Sequence, residues 1–146
     1  MTKLTRDEIM KLQPGPNADA RIAEVCGLPE IEWKVGVPCP YCGAEMYFCG
    51  KRARCTPCNE WRISPYKEYS REIADAVEAL DAFAEKHGCS YIIWRRRSFG
   101  MPNHICAVEG GDLKYTDIET PGACVGIAET KEMAIVYAIL LAANGA

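Results

Sequence analysis

The chain has 146 residues, of which 49% are hydrophobic, and its formal net charge at pH 7 is −3. This length suits one domain, or one small domain with an inserted module, and the acidic balance argues against bulk affinity for nucleic acid while leaving room for a local basic patch. Because there is no apolar run long enough to cross a bilayer and no apolar signal region at the N-terminus, we expect a cytoplasmic protein with no membrane partner.

Capping and helix-ending residues in the N-terminal segment predict two short helices. Thr5 and Glu8 have the spacing of a capping box, so the first helix should run to about Leu12. Asn17 is expected to cap the second helix, and Gly27 to end it. Helices this short are not stable alone, so they should pack on a later part of the chain.

Two Cys-x-x-Cys pairs have the spacing of a metal-binding site. They are Cys39 with Cys42 and Cys55 with Cys58. This pattern is typical of a zinc ribbon, in which four thiolates surround one Zn²⁺ ion. Four thiolates leave no position open for water, so we expect a structural zinc; a rubredoxin-like iron site and a redox or disulfide role are the alternatives.

The residues after each cysteine pair support the metal site. Gly43 and Asn59 stand where the chain has to turn back beneath the sulfur atoms, and both residue types tolerate positive φ. Five further cysteines are scattered among apolar neighbours, which suits a reducing cytoplasm better than a disulfide framework.

The cysteine pairs define a predicted insert, residues 37–64, within a body made of residues 1–36 and 65–146. Residues 45–49 and 52–54 should be the arms of a hairpin, and a third extended piece should follow. The insert is therefore expected to be a ribbon whose folding depends on the metal.

Basic and aromatic side chains accompany the predicted hairpin. The candidates for binding are Lys51, Arg52, Arg54 and Trp61. Aromatic rings can stack on bases while cations hold phosphates, so a nucleic-acid surface is one interpretation. The other is that the rings shield the metal and the charges solvate the hairpin.

After the insert, the pattern predicts a helix, three strands and a final helix. Ser70 is expected to cap the first helix, Gly88 to end it, and Asp75 to lie on its solvated face. The predicted strands are residues 89–99, 105–108 and 113–118, followed by a loop from 121 to about 127 and an apolar helix over 131–143.

The expected fold class is therefore α+β, with a three-stranded antiparallel sheet flanked by helices and an inserted four-cysteine zinc ribbon. The sheet offers one face to its two flanking helices. The two N-terminal helices should either cover the other face or extend the helical layer.

The densest positive run is Arg95-Arg96-Arg97, at the end of the first predicted strand of the body. Arginine binds phosphate through bidentate hydrogen bonds, so an anion site is one interpretation. A solvated strand end is the other, because alternation divides the three side chains between the faces of the sheet.

Three motifs resemble small phage and prophage proteins of the phage ABA sandwich family. They are Leu4-Thr-Arg-Asp-Glu-Ile-Met-Lys-Leu-Gln-Pro-Gly, Ile22-Ala-Glu-Val-Cys-Gly-Leu, and Glu129-Thr130 ahead of Leu140-Leu141-Ala142-Ala143. The resemblance covers residues 4–34 and 66–144 and implies the α+β body, with the ribbon as an insertion. The element order also resembles double-stranded RNA-binding domains, but residues 128–132 lack their basic turn.

No nucleophile–base motif, phosphate loop or catalytic zinc pattern is present in the sequence, so we expect no enzyme. We expect a zinc-binding phage accessory protein, acting in the bacterial host as an interaction module for nucleic acid or a host protein, with the body as scaffold or homo-oligomer contact. The alternative is an anti-defence protein that sequesters a nucleotide signal, whose phosphate Arg95 and Arg97 would hold.

Overall fold

A computed structural model describes residues 4–30, 36–49, 52–62, 66–95, 104–111 and 123–144. The elements are α1 Arg6–Met10, α2 Pro16–Cys26, β1 Tyr47–Cys49, β2 Arg52–Cys55, β3 Glu60–Arg62, α3 Ile73–His87, β4 Ser90–Arg95, β5 His104–Glu109, β6 Ala123–Ala128 and α4 Lys131–Asn144. They form two three-stranded antiparallel sheets, which confirms the predicted α+β class. The chain divides into two compact units: the body, residues 1–28 with 68–146, and the ribbon, residues 29–67.

Local signals set the ends of the first two helices. The Thr5 hydroxyl accepts from the Glu8 amide at 3.3 Å, and the Thr5 amide donates to the Glu8 carboxylate at 3.0 Å, so the predicted capping box is confirmed. Gly27 ends α2 with a φ of 68°, also as predicted. The predicted cap at Asn17 is wrong, because α2 begins at Pro16, whose fixed φ and missing N–H suit the first helical position.

The start of α3 departs from prediction. Glu72, not Ser70, is the residue before the helix. Ser70 is instead buried, and its hydroxyl accepts from the Gly15 amide at 2.9 Å and donates to Asp19 Oδ1 at 2.7 Å. The predicted exposure of Asp75 is also wrong, because this residue is buried. Its carboxylate accepts a hydrogen bond from the Glu68 amide at 3.2 Å.

The sheet of the body is a β4-β5-β6 meander. The strand predicted at 113–118 lies outside the described residues, whereas residues 123–127, predicted as loop, belong to β6. Ala123 and Gly126 have low strand propensity, which explains the error. Gly126 is required because a Cβ there would lie 2.2 Å from the Ala134 carbonyl oxygen, so α4 packs directly on the backbone of β6.

Helices cover one face of this sheet. Cys106, Val108 and Cys124 are fully buried, and they share a face by register, on the side where α4 packs against β5 and β6. Helix α1 packs on α4, and α2 packs on both α3 and α4, so the N-terminal helices extend the helical layer. Within the described ranges, no helix is long and apolar enough to span a membrane.

The Asp19 carboxyl group joins α2 to the segment before α3. Its Oδ1 accepts from the Ser70 amide at 2.8 Å and from the Ser70 hydroxyl at 2.7 Å. Its Oδ2 is buried and has no hydrogen-bond partner among the described residues. Burial raises the pKa of this carboxyl, although the Ser70 hydrogen bonds and the Arg71 charge act in the opposite direction. The folded protein therefore holds this proton to higher pH than the unfolded chain does.

The stability of the body should respond to this proton. As the pH rises above about 4, the unfolded chain loses the Asp19 proton first, so the free energy of unfolding falls. Asp19→Asn keeps the acceptor at Oδ1 and removes the titration. We expect its stability relative to wild type to improve between about pH 4.5 and about pH 7.5, measured by urea denaturation. Asp19→Ala removes the acceptor as well and should be less stable at both pH values, by about 2 kcal/mol. A constant difference between Asp19→Asn and wild type would contradict the prediction.

Candidate metal centre

The ribbon is a three-stranded antiparallel sheet, in which the predicted third extended piece pairs with the predicted hairpin. Tyr47–Cys49 pairs with Arg52–Cys55, which pairs in turn with Glu60–Arg62. The predicted hairpin arms and the extended piece at Trp61 are therefore confirmed. The sheet brings the second cysteine pair to the end of β2 and the turn that follows it.

Each cysteine pair lies in a turn of the predicted kind. After the first pair, Gly43 has a φ of 73°, and its amide donates to the Cys39 carbonyl at 2.8 Å. After the second pair, Asn59 has a φ of 54°, and its amide donates to the Thr56 carbonyl at 3.1 Å. Both turns fold the chain back beneath the sulfur atoms, which confirms the expectation of positive φ at these positions.

The four sulfur atoms have the spacing of a single metal site. The Cys39 and Cys58 sulfur atoms are 3.9 Å apart, and those of Cys42 and Cys55 are 3.3 Å apart. All four lie within 4.8 Å of one another. A tetrahedral ion with metal–sulfur bonds of about 2.3 Å requires sulfur–sulfur distances of about 3.8 Å. The chain therefore clusters four cysteines as a metal site.

Two of these thiols are buried and two are accessible. Cys39 and Cys55 belong to the small core of the ribbon, with Met46 and Ala53, whereas Cys42 is exposed. Hydrogen bonding to Cys55 and Cys42 raises the pKa of the Cys58 thiol to about 12, and burial raises the pKa of Cys55. Because metal ligands must be thiolates, metal binding should release the protons of Cys55 and Cys58.

A row of planar side chains crosses the ribbon sheet next to the metal site. Tyr47, Arg54 and Trp61 are direct cross-strand partners, on β1, β2 and β3. We call them the Tyr47–Arg54–Trp61 row. Tyr47 is 68% exposed and Trp61 is 42% exposed. The Arg54 guanidinium lies over the Trp61 ring, with its Cζ 5.6 Å from the ring centroid. Its Nη2 donates to Asn59 Oδ1 at 2.6 Å.

Of the other predicted binding residues, the structure describes Arg52 and Arg95. Arg52 lies in β2 with its backbone opposite Cys49, and Arg95 is exposed at the end of β4 in the body. Lys51 and Arg97 lie outside the described residues. Among the predicted binding residues, the structure thus brings together Arg54 and Trp61.

Sequence reasoning missed the side-chain role of Asn59 and the place of Tyr47 in the row. The sequence predicts only a turn conformation for Asn59, yet its amide oxygen also accepts a hydrogen bond from Arg54. The place of Tyr47 could have been predicted by pairing the two hairpin arms, 45–49 and 52–54, outward from the turn between them. This pairing register places Tyr47 opposite Arg54.

Comparisons with known proteins add no relative: no family model, no curated protein and no solved structure matches this chain. The resemblance to phage ABA sandwich proteins, and with it the phage origin, therefore stays a prediction.

Proposed function

We propose that the chain is a non-catalytic protein in which one structural Zn²⁺ ion holds the ribbon and the exposed face of the ribbon binds nucleic acid. The observation that carries this proposal is the Tyr47–Arg54–Trp61 row, which presents two exposed rings and a cation beside the four-cysteine site. Rings that stack on bases and cations that hold phosphates form the usual pair of contacts in sequence-tolerant nucleic-acid binding.

Zinc is the metal that this donor set suits best. Thiolate sulfur is a soft ligand, and four cysteines in two paired turns are typical of structural zinc sites. All four tetrahedral positions would be filled by Cys39, Cys42, Cys55 and Cys58. When bound, the ion would supply folding energy to the ribbon, and with no open position it offers substrate no place to bind.

The basic side chains of the ribbon lie in an otherwise acidic chain. Residues 37–64 contain four basic and two acidic residues, a formal charge of +2 with neutral cysteines, which one Zn²⁺ ion held by four thiolates would bring to about zero. The rest of the chain has a formal charge of −5, so it would repel a nucleic acid more strongly than the ribbon does. A host protein is the alternative partner for the same surface. The nucleotide-sequestering alternative has no such support: Arg95 is exposed at a strand end, and no described contact prepares it for a phosphate.

The test compares two charge deletions in the zinc-loaded protein. We expect Arg52→Ala/Arg54→Ala to weaken binding to fluorescein-labelled 20-nucleotide DNA at least about tenfold, in anisotropy titrations at several salt concentrations. The slope of log affinity against log salt should also fall, by roughly 0.7 for each phosphate that the variant no longer neutralises. Arg95→Ala/Arg97→Ala removes the same number of charges from the body, so it is the matched control and should leave both quantities unchanged. No binding to DNA or RNA by the zinc-loaded protein, or equal losses of affinity in the two variants, would reject the proposal.

A further inference from the structure

We infer that the Tyr47–Arg54–Trp61 row is a stacking platform for the unpaired bases of single-stranded nucleic acid. This inference rests on the proposed function and names the ligand more closely. It starts from the register, in which the three residues oppose one another directly on adjacent strands. Adjacent strands lie about 4.8 Å apart, so the row presents three planar groups over about 10 Å.

The row is held from beneath by the core of the ribbon. Ala53 and Cys55, the neighbours of Arg54 in β2, are fully buried, and strand alternation directs them away from the row. The strand that carries Arg54 is therefore fixed by the core and by the metal ligand Cys55. Because Tyr47 and Trp61 are paired to this strand, its fixed backbone sets the spacing between the two rings, which favours a ligand that stacks on both.

The guanidinium in the middle of the row is also fixed. Arg54 Nη2 donates to Asn59 Oδ1 at 2.6 Å, while the group lies over the Trp61 ring. A guanidinium has further N–H donors, so this contact leaves donors free for phosphate oxygens. Arg54 can thus hold the backbone of a strand whose bases lie on the neighbouring rings.

Single-stranded nucleic acid suits this surface better than a duplex or a folded protein. A ring can stack only on a base whose face is open, and base pairing within a duplex closes those faces. A peptide would be bound through apolar pockets or a pairing strand edge, whereas the row offers exposed rings around a cation. Every base has an aromatic face, so we expect tolerance of sequence.

Asn59 links this platform to the metal. It directly follows Cys58, and its positive φ belongs to the turn that carries this sulfur. The same residue orients Arg54, so the geometry assigns Asn59 as a positioning residue that couples metal occupancy to ligand binding. Loss of the metal should therefore disturb the row as well as the ribbon core.

The test uses two tryptophans of equal exposure. Trp61 and Trp94 are both 42% exposed, but Trp94 lies on β4 in the body. We expect Trp61→Ala to weaken binding of the zinc-loaded full chain to labelled dT15 roughly tenfold or more, and Trp94→Ala to change it less than about twofold. Trp61→Phe should retain most of the affinity, because phenylalanine also stacks. Equal effects of Trp61→Ala and Trp94→Ala would overturn the inference.

Comparing the affinities for a single strand and for a duplex tests this inference separately from the proposed function. We expect dT15 to bind at least about tenfold more tightly than a 15-base-pair duplex at the same salt concentration. Equal or tighter binding of the duplex overturns the single-strand inference and leaves the nucleic-acid function standing. Absence of binding to both probes, with zinc present, overturns both.

Asn59→Gly tests the positioning role, because glycine adopts positive φ freely and lacks the acceptor. We expect this variant to keep its zinc and to bind dT15 several-fold more weakly than wild type. In an Arg54→Ala background the same substitution should weaken dT15 binding no further, because Asn59 acts by orienting the guanidinium that this background lacks. An equal loss of dT15 affinity in that background would show that Asn59 only maintains the turn and does not position Arg54.

Discussion

Removing the metal is expected to unfold the ribbon and leave the body folded. The described core of the ribbon consists of Cys39, Met46, Ala53 and Cys55, and two of these four belong to the four-cysteine cluster of the candidate metal site. A core this small cannot offset the conformational entropy of its strands, whereas binding of a structural zinc contributes roughly 10–16 kcal/mol. The body has its own core around α4, in which Ile135, Ile139 and Leu140 are fully buried.

The experiment compares Cys39→Ser with Cys89→Ser, since Cys89 is a half-buried cysteine in the body. We expect Cys39→Ser, or treatment of wild type with a chelator, to abolish the zinc seen by native mass spectrometry. Dispersed amide signals should disappear from residues 36–62 in an NMR spectrum and persist in the body. Cys89→Ser should keep one zinc per chain and the full spectrum. Loss of the whole thermal transition on chelation would show that the ribbon is not a separable insert, and absence of metal in the reduced wild-type protein would reject the metal site.

Gly126→Ala is expected to destabilise the body by at least about 3 kcal/mol, which corresponds to a fall in Tm of about 10 °C. The added Cβ would lie 2.2 Å from the Ala134 carbonyl oxygen and 2.6 Å from the Ala138 amide nitrogen. Both atoms are backbone atoms of α4, so no side-chain rotation can relieve the clash. The helix would have to move away from β6, and the packing of the fully buried side chains Cys124 and Ala138 between the two elements would loosen.

Gly27→Ala is the matched control for this prediction. Gly27 has a φ of 68° with open space around its Cβ position, so alanine there tests backbone strain without a clash. Its cost should be about 1 kcal/mol. Thermal unfolding followed by circular dichroism at 222 nm would measure both variants. A Gly126→Ala protein as stable as Gly27→Ala would mean that α4 does not approach β6 this closely in solution.

Features set by neighbours a few residues apart could be predicted from the sequence. The Thr5–Glu8 capping box, the positive φ of Gly27 and Gly43, and the two paired cysteine turns all depend on contacts within about five residues. Cysteine spacing also indicates the metal site, because four soft ligands in two tight turns have few other uses. The strands of the ribbon follow from the same local pattern.

Features that depend on the pairing and packing of whole elements could not be predicted in this way. Ser70 has the residue type of a helix cap, but the Asp19 carboxyl group, 51 positions away, engages it in a buried contact instead. Gly126 weakens the strand pattern of β6 locally, and pairing with β5 together with packing of α4 outweighs that weakness. The contact of Arg54 with Asn59 and Trp61 is near in sequence, but it forms only when β2 and β3 are in register. For Ser70 and for β6, a long-range contact that is invisible in the local sequence exceeds the local preference in free energy.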